Sequence, residues 1–261
     1  MTQSIHCRHR VRWAIGLILL IGTIGWSLKV LITDDVWTAI DNDASVQIHR
    51  FAKDGLDLRQ TAMLSGQTLL EYAFEHRKKI AFKALLDCGF DPDMFLVSRK
   101  GRNQTITFRC AGIADSYWLK EVLAHNADPN LWTKTHPRNS ATPLRMPFGY
   151  SESPRSEENA ILLIDAGARL NVLIGTNQNP LSLHAMHNAW GVVLHLLEKG
   201  ADPHIGPQYN VFFTNLKEPG DYWSEQPEFI AVQKKLEEMN LDVAKATWNG
   251  KSWDVPKLRD E

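Results

Sequence analysis

Hydrophobic positions follow two different rules along this chain, and the change comes near residue 35. From Trp13 to Ile32 (WAIGLILLIGTIGWSLKVLI) almost every position is apolar, interrupted by Thr23, Ser27 and Lys29. At about 1.5 Å per helical residue such a run is roughly 30 Å long, the thickness of a bilayer hydrocarbon core. It predicts one transmembrane helix, with Lys29 near an end where its stem can reach the headgroups. Arg8, Arg10 and Arg12 precede the run, and Asp34 and Asp35 follow it. The excess of arginine on one flank puts that flank in the cytoplasm and the rest of the chain across the membrane. A cleaved signal peptide would need spaced small residues just after the run. The run instead continues through Lys29-Val30-Leu31-Ile32, which favours an uncleaved anchor.

Beyond residue 35 the apolar positions recur in blocks. Four segments end alike: Leu85-Leu86-Asp87-Cys88-Gly89-Phe90-Asp91-Pro92-Asp93, Val122-Leu123-Ala124-His125-Asn126-Ala127-Asp128-Pro129-Asn130, Leu163-Ile164-Asp165-Ala166-Gly167-Ala168-Arg169-Leu170-Asn171 and Leu196-Leu197-Glu198-Lys199-Gly200-Ala201-Asp202-Pro203-His204. Two apolar residues, a polar pair, then Gly or Asn, describe a helix whose end needs a left-handed residue. Upstream of each ending, Thr68, Thr105, Thr142 and Asn179 offer capping side chains, twice followed by proline at the first helical position. Ala73, Cys110 and His184 then share one register.

A helix start, a small residue at a fixed register and a Leu-Leu-x-x-Gly-Ala-Asp close together resemble the ankyrin repeat. The step from Asn171 to His204 meets its 33-residue period, and the longer earlier steps read as insertions. One insertion lies between Asp93 and Thr105; the other is Tyr150 to Ser156, inside the third repeat, whose first helix is interrupted by Pro147. Degenerate copies at Ala39–Leu58 and Phe229–Val243 flank the four. The resemblance implies an all-α fold: a solenoid of helix pairs with short β-hairpin fingers, behind one N-terminal transmembrane helix. The expected organisation is a cytoplasmic basic tail (1–12), the anchor (13–32), the repeat domain (36–244) and a C-terminal tail (245–261).

Charge narrows the choice of partner. With 29 basic and 30 acidic residues the net charge is -1, so no nucleic-acid partner is expected. Locally, Arg99, Lys100, Arg102 and Arg109 form a basic stretch without an acid. Of three cysteines, Cys88 and Cys110 lie in the repeats, without the spacing of a zinc site. An oxidising compartment would allow them to pair.

Candidate chemistry is sparse. There is no phosphate-binding glycine loop and no nucleophile elbow. His184, His187, His195 and His204 cluster in the fourth repeat, but their registers differ, so one packed histidine and several surface ones are expected rather than a metal site. Asp91, Asp128 and Asp202 recur one repeat apart, which predicts turn hydrogen bonds rather than acid–base work. No catalytic residue, metal or cofactor is expected.

The aromatic residues are more informative. Trp118 matches a core register. Phe95 and Trp132 fall in finger segments, as hairpin core or as binding anchors, and Tyr150 sits in the insertion. Arg99, Arg102, Lys134 and Arg138 interleave with them, giving a positive finger row suited to an acidic protein partner. The candidate partner-binding residues are therefore Phe95, Arg99, Arg102, Trp132, Lys134, Arg138 and Tyr150.

These expectations describe a single-pass inner-membrane protein whose repeats bind a protein on the periplasmic side. Its sharpest form is an immunity protein against a secreted toxin, such as a lipase delivered by a type VI secretion system. The other reading is an assembly or scaffold factor holding an envelope enzyme at the membrane.

Overall fold

Three of the four expected caps start helices as their side chains require. The hydroxyl of Thr68 accepts from the Glu71 N–H at 3.1 Å and that of Thr105 from the Phe108 N–H at 3.2 Å. The Asn179 carboxamide accepts from the Ser182 N–H at 2.7 Å, while the Ser182 hydroxyl takes the Asn179 N–H, so both ends of a capping box are closed. The computed structural model describes residues 35–57, 66–96, 104–131, 142–148, 156–173, 179–205, 211–217, 224–249 and 252–258. The expected anchor at 13–32 lies outside them; among the described residues no helix is long and apolar enough to cross a membrane.

Successive helices pair into stacked layers. The first is α1 (Val36–Asp41) with α2 (Ser45–Lys53), and the second α3 (Leu69–Glu75) with α4 (Lys79–Asp87). The third is α5 (Ile106–Ala111) with α6 (Tyr117–Ala124). In the fourth, a 3-10 run over Pro143–Phe148 precedes α7 (Glu157–Asp165). The fifth is α8 (Pro180–Met186) with α9 (Trp190–Glu198); in the sixth, α10 (Val211–Lys217) packs on α8 and α11 (Pro227–Glu238) on α9. A short antiparallel hairpin, β1 (Thr247–Trp248) and β2 (Trp253–Asp254), follows.

Every second helix ends in the same way. Gly55, Gly89, Gly167 and Gly200 have φ of 87°, 88°, 88° and 93°, and Asn126 and Asn240 take 63° and 64°. The next N–H then turns back to the carbonyl five residues earlier, as from Phe90 to Leu85 and from Ala201 to Leu196, which satisfies the helix end. The left-handed geometry read from Gly and Asn alone is present at all six.

The core runs unbroken along the stack. Ala73, Cys110 and His184 have no exposed surface, so the shared register faces the interior of the stack. Trp118 is fully buried, edge-on to Phe74 and Phe82 with centroids 5.4 and 5.0 Å apart. Trp190 meets Phe229 of the sixth layer in the same way at 4.7 Å. That sixth layer is fuller than its sequence suggests: α10, with Phe212 and Phe213 buried, supplies a first helix where the periodicity marked out only the segment from Phe229.

Candidate protein-binding surface

The fingers begin where each left-handed residue sends the chain away from its helix. In the second layer Phe95 pairs antiparallel with Thr105, and the Leu96 N–H donates to the Gln104 carbonyl at 2.8 Å. These bonds form the base of a hairpin and place Phe95 there, half-buried. The other candidate contacts, Arg99, Arg102, Trp132, Lys134, Arg138 and Tyr150, lie outside the described residues.

The recurring aspartates do the turn-forming work expected of them. Asp91 accepts from the Asp93 N–H at 2.9 Å, Asp128 from the Asn130 N–H at 2.8 Å and Asp202 from the His204 N–H at 2.8 Å. Each carboxylate is thereby committed to its own chain two residues on.

Two residues later comes a feature that reading the sequence missed. Asn130 accepts from the Arg169 N–H at 2.6 Å and donates to the Gly167 carbonyl at 3.0 Å. Asn171 accepts from the Asp202 N–H at 2.9 Å and donates to the Gly200 carbonyl at 3.4 Å. Asp93 takes the Asp128 N–H on both oxygens at 3.1 and 3.0 Å. Burial raises the Asp93 carboxyl above the usual range, and the bond from Asp128 offsets part of the rise. One side chain in each of layers two, three and four thus ties its finger base to the next. The available signal was the Asp or Asn four positions after Gly89, Asn126 and Gly167.

The first helices are bridged by ions. The Arg109 guanidinium reaches Glu71 Oε1 and Glu75 Oε1, both at 2.8 Å, and lies 5.2 Å from the Phe74 ring centroid. Glu71 is wholly buried. Arg109 therefore does not add to the positive character of the stretch that begins at Arg99; two acids of the preceding layer neutralise it. Along the second helices Lys79 meets Asp115 at 2.8 Å, Lys120 meets Glu158 at 2.6 Å and Lys199 meets Asp165 at 2.7 Å. Pairs this exposed contribute little each, and here they join neighbouring layers.

The histidines separate. Burial pushes His184 down to about 3, with the charge of His187 adding and a backbone bond at Leu144 opposing, so it packs as a neutral ring. His195 Nε2 lies 3.0 Å from Asp165, and His204 packs on Phe213 with centroids 5.9 Å apart. Among the described residues no three His, Cys, Asp or Glu side chains are grouped to hold a metal ion. Cys88 and Cys110 are both free thiols, and burial raises the Cys110 thiol far above its ordinary value.

No protein-family model and no curated protein sequence matches the chain. Solved structures do. The human ASB11 ankyrin repeat domain is similar over 84% of this chain and 89% of its own, with 15% identity and a TM-score of 0.54. The ankyrin repeat domain of Bcl-3, a member of the IkappaB protein family, matches over 80% of this chain and 88% of its own at 18% identity and 0.55. An ankyrin repeat domain from Acinetobacter baumannii AYE matches over 78% of this chain and 96% of its own, at 19% identity and 0.55. At these identities the likeness is one of fold.

Proposed function

From the premise that this chain has the ankyrin-repeat fold, we propose that it is a membrane-tethered binding protein that acts by holding another protein on the periplasmic side. Ankyrin-repeat domains generally mediate protein–protein interaction. The observation that carries the reading is the ladder of Asp93, Asn130 and Asn171, which fixes neighbouring finger bases against one another. Loops that leave a fixed base lose less freedom when they bind, and affinity rises by the cost avoided. Commitment of Asp91, Asp128 and Asp202 to turns supports a recognition role over an acid–base one.

The sharper form of the proposal is an immunity protein that blocks an incoming toxin, such as a lipase delivered by a type VI secretion system. The apolar segment at 13–32 would then concentrate the binder on the surface where the toxin arrives. Blocking needs tight binding and no catalytic residue, and tight binding concentrates in a few aromatic and arginine contacts. The test is to look beside the gene for a toxin-like hydrolase, export it to the periplasm with and without the protein, and count survivors; the absence of any such toxin counts against the immunity reading. Protection that is lost in the Trp132→Ala, Arg138→Ala double variant, with helical circular dichroism intact, supports the proposal. Failure of the unaltered protein to protect would move the function to envelope assembly, the reading that co-purification with an envelope enzyme would favour.

A further inference from the structure

The ladder between finger bases reaches its last step with the wrong residue. His204 stands four positions after Gly200, where Asp93, Asn130 and Asn171 stand after Gly89, Asn126 and Gly167. A carboxamide offers a donor and an acceptor on one edge. An imidazole has them on opposite sides of a ring, and His204 turns its ring onto Phe213. The sixth layer nevertheless presents the same two groups as the fifth: a carbonyl at the left-handed residue, Asn240, and an N–H two positions on, at Asp242.

Both groups are taken by the chain's own end. The Leu258 N–H donates to the Asn240 carbonyl at 3.2 Å, and the Asp242 N–H donates to the Pro256 carbonyl at 2.8 Å. Donor and acceptor match those of the Asn171 carboxamide on Gly200 and Asp202. The segment is held down by β1 and β2 and by Trp253, whose indole N–H donates to the Thr214 hydroxyl of α10 at 3.0 Å. Beneath it lies a cleft of about 420 Å³, lined by Leu216, Leu241, Val243 and Leu258 with Gln233 and Glu237. Leu258 covers this cleft only partly and stays 43% exposed.

We propose that residues 252–258 are a releasable strap: a main-chain strand that stands in for the asparagine missing at 204 and closes the last layer of the solenoid. Order in α10 and α11 then depends on the far end of the chain, and release of the strap uncovers the cleft. The strap and an asparagine at 204 compete for one slot, which makes the idea testable in the full-length protein.

Hydrogen exchange at single amides reads the competition. In His204→Asn the Leu258 amide should exchange at least tenfold faster, while the Asp242 amide stays slow because the new carboxamide accepts from it. Trp253→Ala, which loosens the strap without touching the slot, should speed Asp242 at least tenfold in the native background and leave it slow beside His204→Asn. Unchanged Leu258 exchange in His204→Asn would overturn the proposal. So would an equal effect of Trp253→Ala on Asp242 in both backgrounds, or no effect of Trp253→Ala in the native one.

Discussion

The fourth and fifth layers are built to one plan, and they honour it to different degrees. Layer five opens with a closed capping box and a regular α8, with Pro180 at its first position. Layer four opens with Thr142 and Pro143, as the plan requires, and then runs as a 3-10 helix. Pro147 has no N–H to return to the carbonyl four residues back, and the Arg145 N–H donates to the Thr142 carbonyl, three residues back, at 3.1 Å. Yet the two second helices, α7 and α9, end alike, at Gly167 and Gly200 with φ of 88° and 93°. The second helix and its left-handed close hold the stack in register; the first helix can degenerate if its neighbours compensate.

The compensation is visible on both sides of layer four. Asn159, buried on α7, donates to the Ile113 carbonyl at 2.6 Å and lies 3.3 and 3.4 Å from those of Ala111 and Cys110. It thereby serves carbonyls at the end of α5 that a helix terminus leaves over. The 3-10 run also comes very close: a methyl group at Gly112 would lie 2.7 Å from the Met146 side chain. On the other side, α8 packs against the 3-10 run, with the buried ring of His184 beside the Leu144 backbone.

Changes that attack these joints should rank accordingly. The largest effect is expected at His184. Its folded-state value, about 3, lies below the ordinary 6.5, so the unfolded chain binds the extra proton. Its contribution to stability is therefore complete above about pH 6.5 and is lost as pH falls toward 3, with a slope approaching about 1.4 kcal/mol per pH unit. Urea melts across that window should show His184→Leu losing less stability on acidification than the native chain; equal slopes would remove the packed, neutral histidine from the account. Asn159→Ala strips the bridge to α5 and should cost roughly 1–3 kcal/mol, read from the same melts, with layers three and four losing exchange protection first.

Gly167→Val and Gly200→Val sharpen the comparison from the other end. A β-branched residue in left-handed backbone should cost about 1–2 kcal/mol, and the two costs should agree, because the closes are the same in an irregular layer and a regular one. A cost at Gly200 alone would mean that α7 does not hold its layer as α9 does. The smallest effect is expected from Pro147→Ala, which restores one N–H to a run already adapted to its loss. Its unfolding free energy should change by no more than about 0.5 kcal/mol in either direction.

What could be read beforehand was what is local. Caps at Thr68, Thr105 and Asn179, the six left-handed closes, the register of Ala73, Cys110 and His184 and the turns at Asp91, Asp128 and Asp202 are each settled within a few residues. Partners a whole layer away were not legible. Arg109 reads as one more cation in a basic stretch until α3 brings Glu71 and Glu75 beside it. The amide of Asn130 gains its meaning from Gly167 and Arg169. The α10 helix was missed because it lacks the repeated opening motif and is recognised by the burial of Phe212 and Phe213. Of the candidate binding residues, the structure places Phe95 at a finger base, and the remaining six lie outside the described residues.

A solenoid differs from a globular domain in how damage spreads, since each layer contacts only its neighbours. Residue-resolved hydrogen exchange on Gly200→Val tests this most directly. Protection should fall first in α8 to α11, from Pro180 to Glu238, while α1 and α2, from Val36 to Lys53, keep theirs. Uniform loss from α1 to α11 would contradict it.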